Sequence, residues 1–431
     1  MRHATMTPPD PEHELGSRPP IEGPLVVVMV GLPARGKSYI ARKISQYLAW
    51  HGYRTHIFNL GAYRRDRHAG APASFFDPSN PDAVGTRDHL AAAAMDDLVA
   101  WIHAGGQVAV YDATNTTVAR RAFVLARLEH AGIPSLFVEL RTSDHQLIEA
   151  NIRETKVTSP DYAGVDPEEA ARDFRARIAH YESTYEPLDS TDVSYIRISD
   201  VDEQMVLNRV RGYVAMRIVH LLHNLHIDSR TIWLSRHGES HDNVRQILGG
   251  DSSLTDRGRE YAGALRSFID SLQQPIAHVW TSTLRRAIET AEPLGRSFLP
   301  IRALDEINTG ICDGLTEAEI AERHADEHRL RHGNKLAYRY PRGESYEDVI
   351  RRLDPVVLEL ERHRAPVLVI AHQAVLRCLY AYLTGTLRAR CPHIEIPLHT
   401  VLALRPRAYG CEVERHELLP AARGAVPGPS N

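Results

Sequence analysis

The sequence predicts a two-domain α/β chain, and three observations carry that prediction. At 431 residues the chain exceeds what one ordinary hydrophobic core organises. Apolar runs of strand length alternate with amphipathic stretches of helical length, the pattern of a sheet covered by helices. After about residue 230 the alternation starts afresh around unlike motifs and with no internal repeat, so the second half is not a copy of the first.

In the first half, LVVVMV (25–30) reads as a strand, 37–50 as a helix and THIFNL (55–60) as a strand. A helical 85–104, the strand QVAVYDA (107–113), a helical 117–131 and the strand PSLFVEL (134–140) follow. Residues 166–187 and 201–225 are expected to be helical, with YIRI (195–198) a short strand between them. The second series opens on TIWLSR (231–236). It continues through a helical 254–272, the strand HVWTS (278–282), helical 282–297 and 343–363, the strand APVLVIAH (365–372) and a helix from about 373. VLAL and CEVERHEL are late strands. The divisions expected are a tail at 1–23, a first domain at 24–227, a second at 228–418 and a tail at 419–431. Both tails are too rich in Pro and polar residues to bury enough surface to order themselves.

Composition narrows the partners. With 51 basic against 55 acidic residues the net charge is −4, so no basic stripe advertises nucleic acid. Four cysteines without CxxC spacing indicate neither a disulfide framework nor a zinc knuckle, and reduced thiols fit a cytoplasmic chain. No apolar leader or run of roughly 18 apolar residues is present, so no membrane partner is expected.

Gly31, Leu32, Pro33, Ala34, Arg35, Gly36, Lys37 and Ser38 match GxxxxGK[ST], between a predicted strand and a predicted helix. Such a loop turns backbone N–H groups toward one polyphosphate; Lys37 would reach the outer phosphates and Ser38 would ligate Mg²⁺. Asp112, closing its strand, is placed to hold Mg²⁺ or accept a hydroxyl proton, or else to cap the next helix. Phosphoryl transfer needs an acceptor, and Arg64, Arg65, Arg87, Arg120, Lys156 and Arg177 are cations that could hold an anionic one or simply lie solvated. Arg64, beyond a strand end, is the strongest of these.

In the second half, LSRHGES (234–240) places Arg236 and His237 at a strand end. A neutral imidazole can attack phosphorus while guanidinium groups grip the equatorial oxygens. Arg286 after the strand HVWTS and His372 at the end of VLVIAH would complete a phosphate clamp. Glu306 would protonate the leaving oxygen or be an ordinary loop carboxylate. Two arginines neutralise the transferring group, so this site needs no metal.

Taken together, GLPARGKSY, FNLGAYRR, YDATNTT, SPDY, LSRHGES, GGDSSLTDRG, YRYPRGESYEDV, VLVIAHQAVLRC and PLHTVLAL resemble the bifunctional 6-phosphofructo-2-kinase/fructose-2,6-bisphosphatase family, in its order, from about residue 25 to 417. The resemblance implies a P-loop NTPase-type parallel sheet with helices on both faces, followed by a histidine-phosphatase (phosphoglycerate-mutase-like) α/β domain. It implies ATP gripped by residues 31–39, ending in Tyr39, and by the stretch from Asn151 to Lys156, with Asp112 catalytic. Fructose 6-phosphate would meet Arg64, Arg87, Thr114, Arg120, Lys156, Arg177 and Tyr181. Fructose 2,6-bisphosphate would meet Arg236, Asn243, Gly249, Arg286, Arg331, Lys335, Tyr346, His372, Gln373 and Arg377, with His237 the nucleophile and Glu306 the proton donor. A homodimer is implied as well. Two positions depart from the family: Thr142 stands where a kinase-pocket cysteine is usual, and Glu317 where a phosphatase-pocket tyrosine is usual, adding like charge beside a bisphosphate.

Two rivals remain open at this level. A polynucleotide end-healing protein also joins a kinase loop to a phosphatase, but would use a DxDxT motif that the sequence lacks. A nucleotide-sensing regulator would bind without chemistry.

Overall fold

Four of the six residues of LVVVMV are valine, and a strand so uniformly β-branched and apolar can only sit in the middle of a sheet covered on both faces. The computed structural model describes residues 23–68, 70–153, 160–200, 204–226, 230–407 and 410–420, and most of both predicted tails lies outside them. In the first domain the elements are β1 (Leu25–Val30), α1 (Lys37–Trp50), β2 (Thr55–Asn59), α2 (Leu60–Arg67), α3 (Pro81–His103), β3 (Val108–Asp112) and α4 (Val118–His130). They continue with β4 (Ser135–Arg141), α5 (His145–Asn151), α6 (Pro167–Glu182), β5 (Tyr195–Ser199), β6 (Gln204–Asn208) and α7 (Tyr213–Asn224).

The sheet runs β2-β3-β1-β4-β5-β6, parallel except for β6. From β1 the chain crosses outward to β2, and from β3 it crosses the other way to β4. The crevice therefore opens at the carboxyl ends of β1 and β3, which is where an open α/β sheet takes its ligand.

The second domain holds β7 (Ile232–Arg236), α8 (His241–Arg245), α9 (Asp256–Asp270), β8 (His278–Thr281), α10 (Arg285–Ala291), β9 (Leu299–Pro300), α11 (Glu317–Arg323) and α12 (Ala325–Gly333). It closes with α13 (Tyr346–Arg362), β10 (Val367–Ala371), α14 (Gln373–Thr384), β11 (Thr400–Arg407) and β12 (Gly410–Glu417). Its sheet order, β12-β11-β7-β10-β8-β9, again reverses direction, this time between β7 and β10. β11 is antiparallel to both β7 and β12.

The predicted helix over 201–225 is a correction. Residues 201–203 lie outside the described set, Gln204–Asn208 is a strand antiparallel to β5, and only Tyr213–Asn224 is helical. Arg209 at φ 52° and Gly212 at φ 97° turn the chain between the two, which a continuous helix cannot do. The predicted helix 282–297 shortens to Arg285–Ala291 plus one 3₁₀ turn ending at Gly295.

The two sheets share one core. α1, α7, α13 and α14 lie between them, and a continuous buried cluster joins Met29 and Ile44 to Ile218, Leu353, Val369 and Leu379. Among the described residues no helix is long and apolar enough to cross a membrane.

Two candidate active sites

Residues at the carboxyl ends of β1 and β3 face a cavity of about 1150 Å³. The loop after β1 must press against β4: a Cβ on Gly31, at φ 137°, would stand 2.5 Å from the Leu140 carbonyl oxygen. Gly31 N–H donates to the Thr114 carbonyl at 2.9 Å, tying the loop to the turn after β3. Gly36, at φ 80°, starts α1 with its first N–H groups turned to the cavity mouth. Lys37 Nζ donates to the Leu32 carbonyl at 2.6 Å, which holds the ammonium over its own loop.

Asp112 is buried, and its Oδ2 accepts from Asn59 Nδ2 at 2.5 Å. It is not a helix cap, since Thr117 caps α4 by accepting from Arg120 N–H. Asn115, at φ 46°, is buried and donates to the Met29 carbonyl at 2.7 Å, fixing that turn against β1.

The cavity brings together Pro33, Ala34, Gly36, Lys37, Ser38 and Tyr39 from the loop, with Asp112 and Thr114 beyond β3. Arg64, Arg87, Arg120, Asn151, Arg177 and Tyr181 line it as well. Gly31, Leu32 and Arg35 stand outside its lining, Arg35 reaching instead to Glu182 at 3.3 Å. Lys156 lies outside the described residues. Asn151 Nδ2 donates to the Ala34 carbonyl at 3.1 Å.

Arg64 and Arg177 converge on Asp161, at 2.5 and 3.8 Å, and the Arg177 guanidinium lies 3.7 Å from the centre of the Phe76 ring. Burial, with Arg64 nearby, lowers the Arg177 pKa. Among the described residues, Arg64 Nε and Arg177 Nε are buried without a hydrogen-bond acceptor. The buried Arg64 and the half-buried Arg177, each with a donor to spare, make a receptor for an anionic group.

The second site sits between β7 and β10. His237 N–H donates to the Ala371 carbonyl at 3.0 Å, so the two strand ends are locked in register. The ring is buried, and its Nδ1–H donates to the Gly238 carbonyl at 2.7 Å. Nε2 therefore keeps its lone pair and accepts from Arg286 Nε at 3.1 Å. Burial first, then Arg286 and Arg236, hold the His237 pKa well below its ordinary value.

The His372 ring lies 5.0 Å from that of His237 and is likewise held neutral by burial and by Arg286. Its Nε2 pairs with Ser282 Oγ at 2.6 Å, and its Nδ1 is buried without a partner among the described residues. Arg236 is half-buried, and its desolvation pushes its pKa down to about 10. Glu306 Oε1 accepts from Ile307 N–H at 2.9 Å and from Ala374 N–H, in the first turn of α14, at 3.1 Å. Its charge is felt at both Arg236 and Arg286.

Around this centre lies a second group of cations. Arg377 donates to Tyr346 Oη at 3.0 Å, and burial beside Arg377 and Arg331 pushes Lys335 down to about 8. Gln373 opens α14, and Asn243 is the reciprocal partner of Ser240 in the capping box of α8. Gly249 is at φ 71°, where a Cβ would meet Asp313 Oδ1 at 1.7 Å.

A family model described as 6-phosphofructo-2-kinase matches residues 18–229, and the histidine phosphatase superfamily (branch 1) matches 232–418. The 6-phosphofructo-2-kinase/fructose-2,6-bisphosphatase of Gallus gallus is 48% identical over 396 residues, 91% of this chain and 84% of that protein. Form 1 of the Homo sapiens protein of that name is 47% identical over 395 residues, with the same coverage. The chain belongs to the 6-phosphofructo-2-kinase/fructose-2,6-bisphosphatase family.

The two positions expected to depart from the family have distinct surroundings. Thr142 lies just past β4, outside the cavity lining, where its hydroxyl accepts from Asp144 N–H. Glu317 accepts from Arg331 Nη1 at 2.7 and 2.9 Å, so one of the expected bisphosphate-site arginines already carries a carboxylate. Sequence reading missed Asn59, Asp161 and Ser282 as site residues. Asn59 and Asp161 fall inside quoted motifs, so the signal was present for them; Ser282 lies between β8 and the Arg286 helix and carries no motif of its own.

Proposed function

We propose that the chain runs both activities named for its family in opposite directions on one hexose ester. The first domain moves the γ-phosphoryl of Mg-ATP to the 2-hydroxyl of fructose 6-phosphate. The second hydrolyses fructose 2,6-bisphosphate back to fructose 6-phosphate and phosphate. The observation that carries this reading is the presence of two separate anion sites, each at its own sheet's reversal point. One is centred on Lys37 and Asp112, and the other on His237 Nε2 facing Arg286 Nε at 3.1 Å.

At the kinase site the residues fit a divalent magnesium ion, because the buried Asp112 carboxylate and the Ser38 hydroxyl face one cavity. Such an ion, when bound, supplies neutralisation of the outer phosphate charge. The loop N–H groups and Lys37 grip the phosphates, with Tyr39 and Asn151 beside them. Arg64, Arg87, Arg120, Arg177, Thr114 and Tyr181 hold the sugar phosphate so that its 2-hydroxyl is aligned on the γ-phosphorus. As the new P–O bond forms and the bond to ADP breaks, Asp112 accepts the hydroxyl proton.

At the phosphatase site His237 Nε2 attacks the 2-phosphate. The sugar oxygen leaves with a proton from Glu306, and Arg236, Arg286 and His372 hold the equatorial oxygens. Water then attacks the phosphohistidine and gives its proton to Glu306. Asn243, Gly249, Arg331, Lys335, Tyr346, Gln373 and Arg377 position the rest of the bisphosphate.

We place the chain in the cytoplasm, where its thiols stay reduced; Cys378 and Cys391 lie 3.6 Å apart with no bond between them. A homodimer is proposed from the family alone. Rapid acid-free quenching with substrate labelled at the 2-phosphate tests the mechanism. Label should appear on the wild-type protein and be absent from His237→Ala, and equal labelling of both would sink the phosphohistidine step.

A further inference from the structure

Glu317, expected from the sequence resemblance to be a departure from the family pattern, is the first residue of α11, and the Thr316–Glu319 capping box fixes the start of that helix. α12 packs against it and presents His328 and His332, one helical turn apart, to the same carboxylate. His328 Nε2 lies 3.2 Å from Glu317 Oε1, and His332 Nε2 lies 3.7 Å from the same oxygen. The two imidazoles lie tilted against each other, with centroids 4.2 Å apart and their planes at 41°. Three donor atoms, two nitrogens and an oxygen, thus fall within 4.8 Å of one another.

Two further features favour a ligand over an ordinary ion pair. His332 Nδ1–H donates to the His328 carbonyl at 2.8 Å, which fixes the tautomer and leaves Nε2 with its lone pair toward Glu317. A metal-binding histidine is held in this way by the bond its other nitrogen makes. A tetrahedral ion with bonds of about 2.0–2.1 Å needs ligand atoms roughly 3.3 Å apart, close to the two nitrogen–oxygen separations found here. His332 is half exposed, so a fourth position opens to water.

We propose that Glu317, His328 and His332 form a binding site for a divalent transition metal of the zinc class. Imidazole and carboxylate donors suit zinc, copper or nickel, whereas magnesium and calcium prefer all-oxygen sites. Both Glu317 oxygens also face Arg331 Nη1. Metal on Oε1 leaves Arg331 the other oxygen alone, and a carboxylate whose charge is shared with a metal holds the guanidinium less firmly. The metal therefore frees Arg331 for the sugar bisphosphate, and this consequence rests on the placement of Arg331 proposed above.

The test is competition between the full-length protein and a chromophoric zinc chelator, using wild type, the double variant His328→Ala/His332→Ala, and Glu317→Gln. The remaining histidines titrate in all three proteins and cancel in the comparison. The wild type should hold one tighter zinc ion that the double variant lacks, and Glu317→Gln should bind it on the order of tenfold more weakly or worse. Kinase rate, equal in all three, shows that each variant has folded. Absence of the tight site in wild type, or its survival in the double variant, overturns the metal site. Stoichiometric zinc should also lower the phosphatase KM of wild type at constant kcat and leave the double variant unmoved. If zinc binds and KM stays fixed in wild type, the site stands and the coupling to Arg331 is overturned.

Discussion

At His237 the reacting nitrogen is chosen by the backbone: the Gly238 carbonyl takes Nδ1–H, so Nε2 is the atom left to attack phosphorus. Burial first, then Arg286 and Arg236, hold the ring's pKa well below the ordinary value, which favours the neutral, nucleophilic form as the pH falls. Lys335 responds to pH in the opposite range. Burial, then Arg377 and Arg331, depress its pKa to about 8, so its charge is present below that value and lost above it. The phosphate esters are already dianionic there. The phosphatase KM should therefore rise as pH passes from 7.5 to 9, and Lys335→Met should show a high, flat KM over the same window. A wild-type KM that does not move would remove Lys335 from the binding site. At this scale the sequence named the reacting groups because their motifs sit at strand ends. It could not name their partners: Arg64 and Asp161 meet across 97 positions, and spacing alone does not reveal such a pairing.

Elements place these residues through close backbone contacts. Gly258, in the first turn of α9, lies so near the His237 loop that an added Cβ would stand 2.1 Å from the Glu239 carbonyl oxygen. Gly258→Ala must push α9 or the loop aside, at a cost of about 1–3 kcal/mol. A displaced nucleophile should lose phosphatase kcat on the order of tenfold to a hundredfold. The kinase rate, measured on the same sample, should stay unchanged; loss of both rates would show that the contact is not local. The long elements were legible because apolar runs and capping residues such as Asn80, Thr117, Asp166 and Ser345 announce them. α5, α8 and α11, of five to seven residues, are too short to display a period. β6 was read as helix because QMVLN carries no alternation strong enough to override the helical stretch after it.

In the whole molecule, the domains are joined through a buried charge cluster in which Glu361 meets Lys43 at 2.7 Å, Arg230 at 3.0 Å and Tyr382 Oη at 2.8 Å. Burial alone would raise the Glu361 pKa, but Lys43 and Arg230 outweigh it and hold it at about 2. A depressed carboxylate pKa stabilises the fold above its unfolded value near ~4.3, and that stability is lost as pH falls from there toward 2. Glu361→Gln leaves two cations buried without a counter-charge, and the expected cost is about 3–5 kcal/mol. Calorimetry should show a lower Tm for this variant at pH 7 and a smaller difference from wild type near pH 3. An unchanged Tm would mean that the cluster does not hold the domains together.

Both domains also repeat one device, a sheet that reverses direction and opens its crevice onto phosphate. The most direct test of opposed use is ³¹P NMR of Mg-ATP and fructose 6-phosphate incubated with each of three full-length proteins. Wild type should build and then consume the 2-phosphorylated sugar, His237→Ala should accumulate it without decay, and Lys37→Ala should never form it yet hydrolyse it when supplied. If His237→Ala protein, folded and kinase-active, still clears the product, one chain does not hold two independent sites.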